Sequence, residues 1–98
     1  MKPLEILVAY DVATETPAGR RRLQRVAHVC EAFGQRVQKS VFECVLNDVQ
    51  FERLMFRLRK EIDEGEDSLR IYRLSEPRSK YLKVFGREPI DLRGPLVL

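Results

Sequence analysis

A chain of 98 residues has room for one domain, spanning residues 1–98, and folding at this size buries roughly two thirds of the surface that the unfolded chain exposes. With 44% hydrophobic and 34% charged residues it lies far from disorder, and its longest apolar run, interrupted by Glu5, is too short for a membrane span or signal peptide, so a cytoplasmic protein is expected. The net charge is only +3, but residues 18–39 carry six basic residues against Glu31 alone, while residues 48–67 carry seven acids against four bases. Thirteen of the 18 basic residues are Arg, whose planar fork suits phosphate oxygens, and nucleic acid is therefore the expected partner.

The first element is LEILVAYD, residues 4–11, strand-forming and apolar on both pleat faces apart from Glu5, which suits a central strand covered on each side. It runs into Asp11 at its carboxyl end, where sites tend to form. Thr16 and Pro17 then read as the N-cap and first residue of a helix whose apolar stripe is Leu23, Val26, Ala27, Cys30 and Phe33, closed by Gly34. Residues 35–46 (QRVQKSVFECVL) are β-rich, and periodicity alone leaves open one long strand or a bent pair.

Asn47 and Asp48 cap a second helix with stripe Phe51, Leu54, Met55, Leu58 and Ile62, expected to end at Glu64 and Gly65. DSLRIYRL, residues 67–74, is the next strand, and YLKVF, residues 81–85, is a short strand candidate after Pro77. Two amphipathic helices among strands imply an α+β sandwich with both helices on one sheet face. Cys30 and Cys44 form neither a CxxC pair nor a disulfide framework and are expected as buried thiols. His28 is the only histidine, so a metal bound here would be oxygen-liganded Mg²⁺ or Mn²⁺.

Four segments together, LVAYDV, RVAHVCEAFGQRVQKSVFECVL, the acidic second helix and DSLRIYRL, resemble the CRISPR-associated protein 2 family, small proteins of spacer acquisition. The resemblance covers residues 4–74. It implies a ferredoxin-like βαββαβ sandwich with a strand break near Lys39 and Ser40. It also implies extra C-terminal strand structure and a homodimer in which residues 77–98 cross to the partner subunit.

The activity implied is that of a Mg²⁺-dependent endonuclease acting on single-stranded RNA or double-stranded DNA. Carried over residue by residue, the family motif places Tyr10 and Asp11 in catalysis, with Asp11 as metal ligand. Arg25 and Arg36 would hold phosphates, and Phe42 would stack. Arg20, Arg21, Arg22 and Lys39 complete the expected nucleic-acid contacts on charge grounds. Val12, Ala13 and Thr14 separate Asp11 from Glu15, which is not taken as a ligand. Each residue also has a plainer reading: Asp11 capping the following loop or helix, Arg25 and Arg36 paired with Glu31 or Glu43, Tyr10 and Phe42 in the core. The alternative function is a non-catalytic dimeric scaffold that holds duplex DNA and docks the CRISPR integrase dimer.

Overall fold

The computed structural model describes residues 2–87. Its elements are β1 (Leu4–Asp11), α1 (Pro17–Phe33), β2 (Gln35–Gln38), β3 (Val41–Leu46), α2 (Asp48–Glu61), β4 (Ser68–Leu74) and the short α3 (Arg78–Tyr81). The first six form the βαββαβ order of a ferredoxin-like sandwich, and the sheet order β2-β3-β1-β4 puts β1 in its interior. Every neighbouring pair is antiparallel.

Local sequence sets the helix ends. Thr16 Oγ1 accepts the Gly19 N–H at 3.0 Å with Pro17 following it, and the Gly34 N–H closes α1 on the Cys30 carbonyl at 2.9 Å. At α2 the cap is reciprocal: the Gln50 N–H donates to Asn47 Oδ1 at 2.7 Å and the Asn47 N–H to Gln50 Oε1 at 2.9 Å. The second strand region is a bent pair, with the break at Lys39 and Ser40 and an irregular register between Arg36 and Gln38.

Both helices cover one face of the sheet. Ile6, Val8, Tyr10 and Val12 from β1 and its exit meet Phe42, Cys44 and Leu46 from β3 beneath Val26, Val29, Cys30, Leu54 and Leu58. Complete burial of a side chain such as Phe42, Ile6 or Leu58 contributes about 1.5–3 kcal/mol. The two thiols lie inside this core, and burial pushes Cys30 up to about 12 and Cys44 up to about 11, far from nucleophilic thiolates at neutral pH.

Three expectations change. β1 is central, yet only one of its faces is covered: Glu5, Leu7, Ala9 and Asp11 alternate onto the face away from the helices, beside Val41, Glu43 and Val45 and beside Ser68, Arg70, Tyr72 and Leu74. α2 stops at Glu61, because Asp63 turns the chain by accepting the Gly65 N–H at 2.9 Å. Residues 81–85 are not a strand. Pro77 starts a single helical turn, with the Lys80 N–H on its carbonyl and the Leu82 N–H on that of Arg78, and residues 82–85 have no strand partner among the described residues. Arg78 fixes this turn over the open face, 2.9 Å from Glu43 and 3.7 Å from Glu5, which explains the acid inside an otherwise apolar strand. Of the extension expected to cross to a partner subunit, residues 77–98, residues 88–98 lie outside the described residues.

Candidate active site

At the end of the sheet where β1 stops, Asp11 forms the last register pair with Ser68, and its exposed side chain belongs to the open face. Its carboxylate makes no hydrogen bond or ion pair with any described residue. The capping work that a plainer reading would assign to Asp11 is done by others: Thr16 caps α1, and Asp67 holds the loop. Asp67 Oδ1 accepts the Ala13 N–H at 3.1 Å and Oδ2 the Asp63 N–H at 2.8 Å, while Arg22 grips the carboxylate with Nε at 2.8 Å and Nη2 at 3.1 Å. The Arg22 fork, aided by these backbone donors, holds the Asp67 carboxyl down at about 2.

The other expected site residues divide in two. Arg20, Arg21 and Lys39 are exposed at the same end of the sheet as Asp11: Arg20 and Arg21 in the opening turns of α1, Lys39 in the β2–β3 turn. Arg20 reaches back to the Thr14 carbonyl at 3.1 Å, stiffening the loop between.

Tyr10, Arg36 and Phe42 lie on the helix side, with the sheet between them and Asp11. Phe42 is fully buried, its ring stacked on Tyr10 with centroids 6.2 Å apart and an interplanar angle of 23°. Arg36 covers it, with the guanidinium carbon 5.1 Å from the ring centroid and Nη1 3.9 Å from Glu31. Burial pushes the Tyr10 hydroxyl up, against the pull of the neighbouring guanidinium, and that hydroxyl donates to the Lys39 carbonyl at 3.4 Å.

These positions give each expected site residue its surroundings. Phe42 finds its stacking partner inside the chain and has no face left for a base. Tyr10 supports the β2–β3 turn from behind the sheet instead of sharing a surface with Asp11. Arg22 is committed to Asp67, with little of its side chain exposed, and Arg25 pairs with Glu61 at 2.8 Å while staying half exposed.

Sequence reasoning missed Asp67, Gly19, Arg70 and Tyr72. Arg70 and Tyr72 share the open face with Asp11, and Arg70 Nη1 donates to the Tyr72 hydroxyl at 3.2 Å. The signal for them was parity: alternation along DSLRIYRL puts Ser68, Arg70 and Tyr72 on one face. Among the described residues no three His, Cys, Asp or Glu side chains gather to hold a metal ion.

Comparison with known proteins identifies the family. The profile of the CRISPR associated protein Cas2 family matches residues 5–81. The chain is 61% identical over 94 residues to the CRISPR-associated endoribonuclease Cas2 1 of Moorella thermoacetica, covering 95% of this chain and 98% of that protein. It is 50% identical over 94 residues to the CRISPR-associated endoribonuclease Cas2 of Chlorobaculum tepidum, with the same coverage of each. Among solved structures, Cas2 of Streptococcus pyogenes superposes with a TM-score of 0.74 at 48% identity, covering 84% of this chain and 99% of that one. With a family profile matched over residues 5–81, relatives matched over nearly its whole length and a solved fold shared, the chain belongs to the CRISPR-associated protein Cas2 family.

Proposed function

We propose that the protein is a CRISPR adaptation endonuclease that hydrolyses phosphodiester bonds in single-stranded RNA or double-stranded DNA, with Asp11 as its reactive-site carboxylate. The observation that carries this reading is an exposed acid at the end of a central strand with no hydrogen bond or ion pair to the described residues, at the same end of the sheet as exposed Arg20, Arg21 and Lys39. The names of the relatives, CRISPR-associated endoribonucleases and endonucleases, support the same chemistry.

One carboxylate does not make a Mg²⁺ site, so a single chain does not fit the ion that the family implies. A homodimer closing over the open faces supplies the missing half by bringing two copies of Asp11 together. Leu7, Ala9, half-exposed Val45 and Tyr72 give that face the apolar surface such a pairing needs. Mg²⁺ or Mn²⁺ bound between two such acids would lower the pKa of a water and neutralise phosphoryl charge. The protein's own part is to present Asp11 and to hold phosphates on Arg20, Arg21 and Lys39.

In this reading the C-terminal extension, residues 77–98, crosses to the partner subunit, and the dimer docks the CRISPR integrase dimer in the cytoplasm. No helix among the described residues is long and apolar enough to cross a membrane. The test is cleavage of labelled single-stranded RNA and duplex DNA by purified wild-type and Asp11→Ala protein, with Mg²⁺ and with chelator. Activity lost on substitution and on chelation is expected. Equal cutting by both proteins, or none by either alongside intact DNA binding, would transfer the function to a DNA-holding scaffold.

A further inference from the structure

An exposed carboxylate without a hydrogen bond owes its placement to the backbone that carries it. For Asp11 the sheet ladder ends at its own pairing with Ser68, so no main-chain partner follows. The fold supplies a substitute at Ala13. Asp67, the residue before β4, lends a side-chain oxygen to the Ala13 N–H at 3.1 Å, in effect extending the β1–β4 ladder past its last strand residue. On the other side of α1's first turn, Gly19 is buried against the same residue: a Cβ there would overlap the Ala13 carbonyl oxygen and lie 3.4 Å from Thr16 Oγ1. Between them Val12 is anchored in the core. Asp67 is itself immobilised by the Arg22 fork and the Asp63 N–H.

We propose that Asp67 and Gly19 are positioning residues for Asp11, holding Ala13 at its N–H and at its carbonyl so that the strand end presents the carboxylate in one orientation. This rests on the reading of Asp11 as the reactive-site carboxylate, and it assigns to two residues outside the basic cluster a share in the rate. Neither residue is itself one of the proposed phosphate contacts, so the main effect belongs in kcat, with a smaller rise in KM for Gly19→Ala because Arg20 follows it directly and bonds the Thr14 carbonyl.

The experiment compares full-length wild type with Asp67→Ala, Asp67→Asn and Gly19→Ala. It measures amide exchange at Ala13, kcat and KM on the nucleic acid that wild type cuts, and thermal melting. Asp67→Ala should speed Ala13 exchange about tenfold, the loss expected for one hydrogen bond to a charged acceptor. Both Asp67→Ala and Gly19→Ala should lower kcat by about 100-fold through misplacement of the reacting group, with KM held within about twofold. Asp67→Asn keeps an oxygen for the Ala13 N–H while losing the charge that Arg22 holds, so it should recover most of kcat and of the protection although its melting temperature falls. Wild-type kcat in folded Asp67→Ala or Gly19→Ala overturns the proposal, as does a kcat that follows melting temperature across all three variants. Should wild type show no Asp11-dependent cleavage, the nuclease reading falls separately and exchange alone decides the clamp: release of Ala13 in both Asp67→Ala and Gly19→Ala sustains it, and unchanged protection removes it.

Discussion

Gly34→Ala probes the closest approach between the α1–β2 corner and the sheet. The Gly34 backbone is extended, with φ of −160°, so an alanine is allowed there by its own torsions and the whole effect comes from contact. A methyl group would overlap Cys44 Sγ, sit 2.5 Å from the Glu43 carbonyl oxygen and 3.1 Å from Cys44 Cβ. Because β3 is held on both sides, by β1 and β2, it has little room to retreat. Overpacking of a tight site costs about 1–3 kcal/mol, and contact with main chain puts this case at the upper end. The stiffer unfolded chain returns about 0.4–1 kcal/mol, leaving a net loss of about 2 kcal/mol. For a domain of this size that lowers the melting temperature by about 8–16 °C.

Thermal unfolding followed by circular dichroism measures it, together with the same substitution in a Cys44→Ala background. Removing the sulfur relieves one clash and leaves the Glu43 carbonyl, so the penalty should shrink by about 1 kcal/mol without vanishing. A Gly34→Ala protein that melts with wild type, or an identical loss in both backgrounds, would refute the packing argument.

Acid unfolding tests the Arg22–Asp67 pair. The folded pKa of Asp67, about 2, lies below its ordinary value of 3.8, so its stabilisation is complete above pH ~4 and disappears as the pH falls towards 2. After solvent screening it amounts to about 1–2 kcal/mol, and the stability curves of wild type and Asp67→Asn should differ by that at pH 7 and converge near pH 2; parallel curves would contradict it. Phe42→Leu should cost about 1–2 kcal/mol in urea unfolding, as an imperfect refill of the space under Arg36. It should leave affinity for labelled nucleic acid unchanged, and weaker binding would return Phe42 to the interaction surface.

Much of the architecture was legible because local signals agreed. Thr16 before Pro17, Gly34 after Phe33 and Asn47 before a 3.6-residue stripe fixed both helices, and the caps form as their chemistry demands. The division of residues 35–46 followed from the family likeness and not from periodicity, since Gln, Lys and Ser do not mark a turn without a partner strand to define it. Residues 81–85 misled because β-propensity describes a segment that fits a pleated surface, and among the described residues this one pairs with neither edge strand, β2 or β4. Of the site, Asp11 was legible as an acid at the end of an apolar run. The separation of Tyr10, Arg36 and Phe42 from it was also encoded, in alternation, but a linear motif hides which side of a sheet each letter faces. Asp67 could not be recognised as the loop's acceptor, because its partners Ala13 and Arg22 lie 54 and 45 residues away in the chain.

The alternation of β1 has a consequence for how such a chain can change over evolutionary time. Substitutions at Leu7 or Ala9 alter the open face alone and those at Ile6 or Val8 the core alone, so each side can drift under its own selection. Insertion or deletion of one residue between Leu4 and Tyr10 exchanges the two sides at once, sending the acid into the helix layer and the tyrosine outward. The length of this strand is therefore under stricter constraint than most of its letters, and variation in this lineage should accumulate there by replacement, with gaps confined to the turns.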